Sequence, residues 1–176
     1  MAFLNGNTMT SASPATTCLT WDSPLGPMVL AATDKGLAGA WFTDQADRPR
    51  WAHAPAPHSP TTHPVLASAR EQLTAYFDKR LQRFELALDT SLLGTPFQQG
   101  VWAALLAIPH GQTTSYGQIA LTLGRPKAVR AVGGAVGRNP WSIVVPCHRV
   151  VGAQGQLTGY SGGMHRKVAL LALERH

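Results

Sequence analysis

The sequence predicts an α+β chain in two halves, a small antiparallel sheet with one helix up to residue 92 and a mostly helical half after it. Short apolar segments bounded by turn residues fill the stretch from Cys18 to Phe42. Apolar residues at three- and four-residue spacing then mark a helix from Val65. From Thr95 onward, residues that open and close helices recur in pairs. The 176 residues are enough to bury one core or two small ones.

In the first half, Cys18–Trp21 and Pro27–Ala32 are separated by Asp22-Ser23-Pro24 and Leu25-Gly26-Pro27, and with Gly36–Phe42 they predict a three-stranded antiparallel sheet. Thr43–Pro64 is rich in Pro, His and Ala and reads as a loop. Leu66, Ala69, Leu73 and Tyr76–Phe77 share one face of a helix over Val65–Lys79. Phe84, Leu86 and Leu88 alternate with polar neighbours, so Leu81–Leu88 reads as a strand.

In the second half, Thr95 caps a helix whose first turn holds Pro96, where a missing N–H does no harm. Phe97, Val101, Trp102, Leu105 and Leu106 form its apolar stripe, and Pro109-His110-Gly111 ends it. Thr114 or Ser115 caps a second helix, Tyr116–Leu123, which Gly124 terminates. Arg125-Pro126 leads to a third, Lys127–Val136. Helix, tight turn and basic second helix fit helix-turn-helix geometry, a spacing that core helix pairs share. Ser142–Val145 then reads as an apolar strand running into Pro146-Cys147-His148-Arg149-Val150.

The formal charge is +6, which favours an anionic partner, of which nucleic acid is the commonest. No apolar run nears the ~18 residues of a membrane span. The opening Met1–Thr17 lacks a basic segment followed by an apolar one, so it reads as a short disordered lead-in and not as a secretory signal. Cys18 and Cys147 are the two cysteines. They show no metal-ligand spacing, and although one disulfide between them is conceivable, reduced intracellular thiols are expected. His53, His58 and His63 lie in the Pro/Ala-rich stretch without partner cysteines, so no metal is expected there.

A thiol of pKa ~8.5 needs a base or electropositive surroundings to act as a nucleophile at neutral pH. Cys147 and His148 are adjacent, but neighbours on a strand point to opposite faces. Direct contact would require a break in the strand or a bridging water. By itself such a pair is more often structural than catalytic.

The run Pro146-Cys147-His148-Arg149-Val150, preceded by Gly137-Arg138-Asn139-Pro140 and followed by Gly159-Tyr160-Ser161-Gly162-Gly163, resembles the O6-alkylguanine-DNA alkyltransferase family, also called methylated-DNA–protein-cysteine methyltransferases. The resemblance spans Gly94–Glu174 and includes Thr95-Pro96-Phe97-Gln98-Gln99, Ser115-Tyr116-Gly117-Gln118 and Ala131-Val132-Gly133-Gly134. Before Gly94 it rests on length, layout and Ser23-Pro24-Leu25-Gly26-Pro27. It implies a ribonuclease-H-like N-terminal α/β domain over residues 1–92 and a winged helix-turn-helix DNA-binding and alkyl-acceptor domain over 93–176.

The resemblance also implies roles. Cys147 is the acceptor whose thiolate attacks the alkyl carbon. His148 is the base, acting through a water; Glu174 orients His148, and Asn139 braces the turn before the active strand. Tyr116 contacts a base rotated out of the duplex. Tyr160 and Ser161 stabilise the departing guanine, and the carbonyls of Cys147 and Val150 receive its exocyclic amine. Arg130 fills the vacated stack, where a planar permanent cation can both stack and pair. Ala128, Ala131, Gly133 and Gly134 let the recognition helix approach the minor groove. Arg125, Lys127 and Arg138 are expected phosphate contacts. Read without the family, Arg130 would be an ordinary surface arginine and Tyr116 a core aromatic.

Val129 stands where a smaller residue is expected on the DNA-facing helix, and Trp141-Ser142 is a bulky, then polar, pair expected beside the pocket. Some members carry zinc in the N-terminal half, which Cys18 alone cannot bind. The implied activity is a stoichiometric, irreversible transfer without cofactor from O6-alkylguanine, with O4-alkylthymine left open as a second substrate. The implied partner is double-stranded DNA, with the protein a monomer in the cytoplasm, or in the nucleus of a eukaryote. Three rivals stand beside this reading. A non-catalytic lesion-binding relative would carry tryptophan in place of Cys147. A winged-helix regulator would leave the thiol site unexplained, and a cysteine hydrolase would need an oxyanion hole.

Overall fold

The structure, a computed structural model, describes residues 16–52, 63–92 and 94–175. Residues 1–15 of the expected lead-in, His53 and His58 lie outside these residues, and Thr17, the last residue of that lead-in, opens the first strand. Strands β1 (Thr17–Ser23), β2 (Gly26–Thr33) and β3 (Gly36–Phe42) form the antiparallel sheet expected from the sequence, in meander order. The first hairpin pairs Ser23 with Gly26, and the Ser23 hydroxyl closes it by donating to the Gly26 carbonyl at 2.6 Å. The second turns at Gly36, whose φ is +150°. A Cβ there would sit 2.4 Å from the Ala87 carbonyl oxygen, so only glycine fits.

Both faces of the sheet are covered. Met28, Leu30, Ala32, Ala40 and Phe42 join the main core. Helix α1 (Pro64–Phe77) belongs to the same core through Leu66, Ala69, Leu73 and Tyr76. Ala31, Ala38 and Trp41 face the other way, beneath Trp51 and Ala52. The expected loop from Thr43 therefore contains a 3-10 turn, Arg50–Ala52, that shields this second face.

Leu81–Leu88 is not a regular strand. Its burial alternates as expected, yet it makes only one bridge, Leu88 to Leu37. The reason is competition for the free edge of β3. Leu37 exchanges hydrogen bonds with Ala87 and Asp89, whereas three residues on Ala40 exchanges them with Pro140 and Ser142. The sheet edge is thus shared between the two halves of the chain.

Helix α2 (Pro96–Leu106) begins with the full reciprocal cap between Thr95 and Gln98. A two-residue strand, β4 (Thr114–Ser115), precedes α3 (Tyr116–Thr122), which Ser115 caps through the Gln118 N–H. Helix α4 spans Val129–Gly137, two residues later than expected. Pro126 sits in a turn closed by the Ala128 N–H on the Arg125 carbonyl at 2.9 Å, so Lys127 and Ala128 belong to the connection and not to the helix.

The expected strand Ser142–Val145 is a buried turn. Trp141 alone bridges to the sheet, after which Ile143 adopts φ +74° and the Val145 N–H returns to the Trp141 carbonyl. An all-apolar run without alternation cannot distinguish a buried strand from a buried turn. Trp141 is also not beside the pocket. It packs edge-on to Trp102 with centroids 5.5 Å apart and donates to the Leu37 carbonyl. After a 3-10 turn at Cys147–Arg149, strand β5 (Val150–Val151) pairs in parallel with β4, and α5 (Met164–Glu174) closes the fold.

Candidate active site

Asn139 builds the turn that presents Cys147. Its Oδ1 accepts from the Trp141 N–H, and its Nδ2 donates to the Val145 carbonyl at 2.8 Å and to Cys147 Sγ at 3.1 Å. One buried amide therefore fixes both the backbone before the cysteine and the sulfur. The 3-10 turn supplies the break in extended geometry that the Cys147–His148 pair was expected to require.

Cys147 is 3% exposed but lies on the wall of a cavity of about 590 Å³, a size typical of small-ligand pockets. One wall is α4, through Val129, Arg130, Gly133, Val136 and Gly137, the repeat of one helical face. Tyr116 and the segment Thr158–Ser161 complete it. Val129, larger than the residue expected at this position, lies on the cavity wall. Gly137 and Gly159 have open space where a Cβ would point, so their lack of side chains enlarges the chamber.

Behind the cysteine, His148 is fully buried, with Nε2 2.8 Å from Glu174 Oε1. Glu174 also accepts from Arg149 Nε and Nη2 at 2.9 Å each, from the Tyr76 hydroxyl at 2.7 Å and from the Gly111 N–H at 3.2 Å. Burial alone would raise this carboxyl. The bonds from His148, Arg149 and Tyr76 outweigh it and hold the group ionised, well below the ordinary range. Facing a carboxylate, Nε2 must carry the proton, which leaves Nδ1 as an acceptor; it is buried without a hydrogen-bond partner.

Burial pushes the Cys147 thiol up to about 11, opposed by the Asn139 bond and by the nearby Lys167. Burial likewise lowers His148, although Glu174 pulls the other way. The resting pair is a thiol and a neutral imidazole. The Tyr160 hydroxyl, close to Cys147 and Ser142, is buried without a well-formed hydrogen bond, and burial keeps it protonated.

The fold thus gathers Tyr116, Arg130, Gly133, Cys147, Tyr160 and Ser161 around one cavity, with Asn139, His148 and Glu174 behind it. Val150 does not reach the cavity wall. It is buried, and its carbonyl accepts from Lys167 Nζ at 2.6 Å. Ala131 and Gly134 are exposed on α4. Arg125 and Lys127 lie exposed in the preceding turn, Arg125 over the Phe97 ring at 5.6 Å, with half-buried Ala128 beside them. Arg138 donates back to the Gly134 carbonyl and lines a separate cavity with Trp41 and Asp47.

Sequence reasoning missed Arg149, Tyr76 and Lys167. Arg149 stood inside the quoted motif without a role. Lys167, in the run His165-Arg166-Lys167, looks like a solvated first turn of a helix, yet it is fully buried and bonds the Val150 and Thr158 carbonyls. Tyr76 read only as a core aromatic. Cys18 and Cys147 are both free thiols.

Residues 96–176 match the DNA-binding domain, and residues 17–90 the ribonuclease-like domain, of 6-O-methylguanine DNA methyltransferase. The methylated-DNA–protein-cysteine methyltransferase of Mycobacterium leprae is 49% identical over 90% of this chain and 92% of its own. Among solved structures, the O6-methylguanine methyltransferase of Mycobacterium tuberculosis superposes with a TM-score of 0.78 at 48% identity, covering 91% of this chain and 93% of that one. The M. tuberculosis OGT in complex with DNA gives 0.77 at 50% identity, covering 89% and 91%. The chain belongs to the 6-O-methylguanine DNA methyltransferase family.

Proposed function

We propose that the protein repairs DNA by direct reversal, moving the alkyl group of O6-alkylguanine onto Cys147 once per molecule. The observation that carries this reading is a nucleophile at the wall of a base-sized cavity whose other wall is the helix bearing Arg130, backed by an imidazole with one unoccupied acceptor. The damaged nucleotide leaves the duplex and enters past α4, and Arg130 takes its place in the stack. Tyr116, whose hydroxyl accepts from Thr158 at 3.0 Å, keeps its own proton to donate to the base. The Cys147 carbonyl, which accepts from the Val150 N–H, keeps a second lone pair for the guanine amine.

In the transfer, the Cys147 proton passes through a water to Nδ1 of His148 while sulfur attacks the alkyl carbon. The S–C bond forms as the C–O6 bond breaks, and guanine leaves with the electron pair. The Tyr160 hydroxyl and Ser161 receive the developing charge, and the proton returns from His148 to the purine. Glu174 keeps the imidazole in the required tautomer. No group in the pocket can take the alkyl from the thioether, so the reaction ends there without a cofactor.

In this reading residues 93–176 bind DNA and accept the alkyl group, and residues 1–92 support them. The protein acts as a monomer on double-stranded DNA in the compartment that holds it, the cytoplasm of a bacterium or the nucleus of a eukaryote. Incubation with a duplex containing O6-methylguanine should add about 14 Da to the peptide holding Cys147, the mass signature of a stable alkyl-enzyme. Cys147→Ser should bind the duplex and gain nothing. Tight lesion binding with no mass change in the unaltered protein would instead identify a non-catalytic lesion reader.

A further inference from the structure

We propose that Gln45, at the end of the N-terminal sheet, is a positioning residue for the lesion pocket, and that through it the N-terminal half sets the geometry of alkyl transfer. The proposal rests on the functional reading above. Gln45 is 3% exposed and follows β3 by three residues. Its Oε1 accepts from the Phe42 N–H at 3.2 Å and from the Ser142 hydroxyl at 3.1 Å. Its Nε2 donates to the Ser161 hydroxyl at 3.3 Å. A backbone N–H can only donate, so the Phe42 bond fixes the amide orientation and directs the NH₂ at Ser161.

Ser161 and Tyr160 line the cavity with Cys147. Ser142 precedes Cys147 by five residues and lies next to the Tyr160 hydroxyl. One side chain from the first half therefore ties the turn before the nucleophile to the adjoining Tyr160–Ser161 wall. The same wall is gripped at two further points. Arg166 donates to the Gly162 carbonyl at 2.7 Å while pairing with Asp44 at 2.8 Å and bonding the Leu25 carbonyl at 2.9 Å. At Gly162 a Cβ would come within 3.2 Å of the Phe42 ring and 2.6 Å of Tyr160, so the wall rests directly on the sheet. Of these contacts, only Gln45 joins both sides of the pocket. Reaction at carbon needs near in-line approach, and a shift well under an ångström is enough to slow it.

The test compares unaltered protein with Gln45→Met, which keeps length without polar atoms, with Ser161→Ala and with the double variant. Methylation of Cys147 is followed by mass at several concentrations of O6-methylguanine duplex, alongside affinity for unmodified duplex and thermal melting. Gln45→Met should lower the rate of Cys147 methylation at saturating lesion about threefold to tenfold, the weight of one hydrogen bond. Its affinity for unmodified duplex should stay level, because α4 is untouched. Ser161→Ala removes a hydroxyl that also meets the leaving guanine, so it should lose at least as much, and the double variant should be no worse than Ser161→Ala alone. Wild-type kinetics in Gln45→Met, or defects that multiply in the double variant, would overturn the proposal, as would an equal loss of affinity for unmodified duplex. Absence of methylation in the unaltered protein would mark failure of the functional reading instead.

Discussion

Cys147 and His148 set the chemical problem at the scale of single residues. A thiol raised to about 11 is ionised in only about one molecule in ten thousand at pH 7, four pH units below. Thiolate must therefore arise together with a proton acceptor, and the neutral His148 supplies one at Nδ1. The sign of each shift fixes the pH profile. His148, lowered from its ordinary value, stays neutral above about pH 6.5, so the single-turnover rate should be level from about pH 7 to 9 and fall only on acidification. In His148→Ala the rate at pH 7 should drop about 10²- to 10⁴-fold. It should then climb about tenfold per pH unit toward the thiol's own value, so the gap to wild type narrows as pH rises. Rapid-quench measurement of Cys147 methylation across pH tests this, and parallel profiles in the two proteins would refute it. That Cys147, His148, Asn139 and Glu174 lie together was legible because the family motif carries them. Tyr76 was not, since its hydroxyl meets Glu174 across 98 residues of chain, a distance that no local pattern encodes.

At the scale of elements, the sequence was read most accurately where local chemistry decides the structure. Thr95-Pro96 and Ser115 cap their helices as expected, and the three N-terminal strands lie where their turn residues place them. The errors fall where tertiary competition decides. Leu81–Leu88 has a strand's alternation but shares the edge of β3 with Pro140–Ser142, and Ser142–Val145 is drawn into a turn by the Asn139 amide. Helix α2 shows the local rule at work in the opposite direction. Gly100 lies in its second turn, and a Cβ there would meet only Leu123 Cδ2, at an ordinary 3.9 Å. No close approach requires glycine, so its backbone freedom is a net loss to the helix. Gly100→Ala should stabilise the protein by about 0.5–1 kcal/mol, raising the melting temperature by roughly 1–4 °C for a chain of this size. A lower melting temperature would mean that α2 bends at this residue.

At the scale of the whole molecule, the N-terminal half braces the back of the site and leaves the α3–α4 side open. Trp141 bonds Leu37, Tyr76 bonds Glu174, and Arg166 bonds Leu25 and Asp44, each joining the two halves behind Cys147. Helix α4 lines the cavity, Arg130 is exposed on it, and Arg125 and Lys127 are exposed in the turn before it. A chain of net charge +6 is attracted to any polyanion, so placement decides which cations meet phosphate. Both side chains are exposed, but Lys127 lies on the turn before α4, whereas Arg138 is bonded to Gly134 and lies along the cavity shared with Trp41 and Asp47. The two should respond differently to salt. Removing a cation that neutralises one phosphate lowers the slope of log affinity against log salt by about one. Lys127→Ala should therefore flatten that slope by about one and weaken methylated and unmodified duplexes equally. Arg138→Ala should leave the slope unchanged, although family resemblance alone would count it among the phosphate-binding residues. Fluorescence anisotropy titrations over a range of salt concentrations distinguish the lysine from the arginine. A slope that falls by one in Arg138→Ala would place the DNA backbone across the C-terminal end of α4 as well as its N-terminal turn.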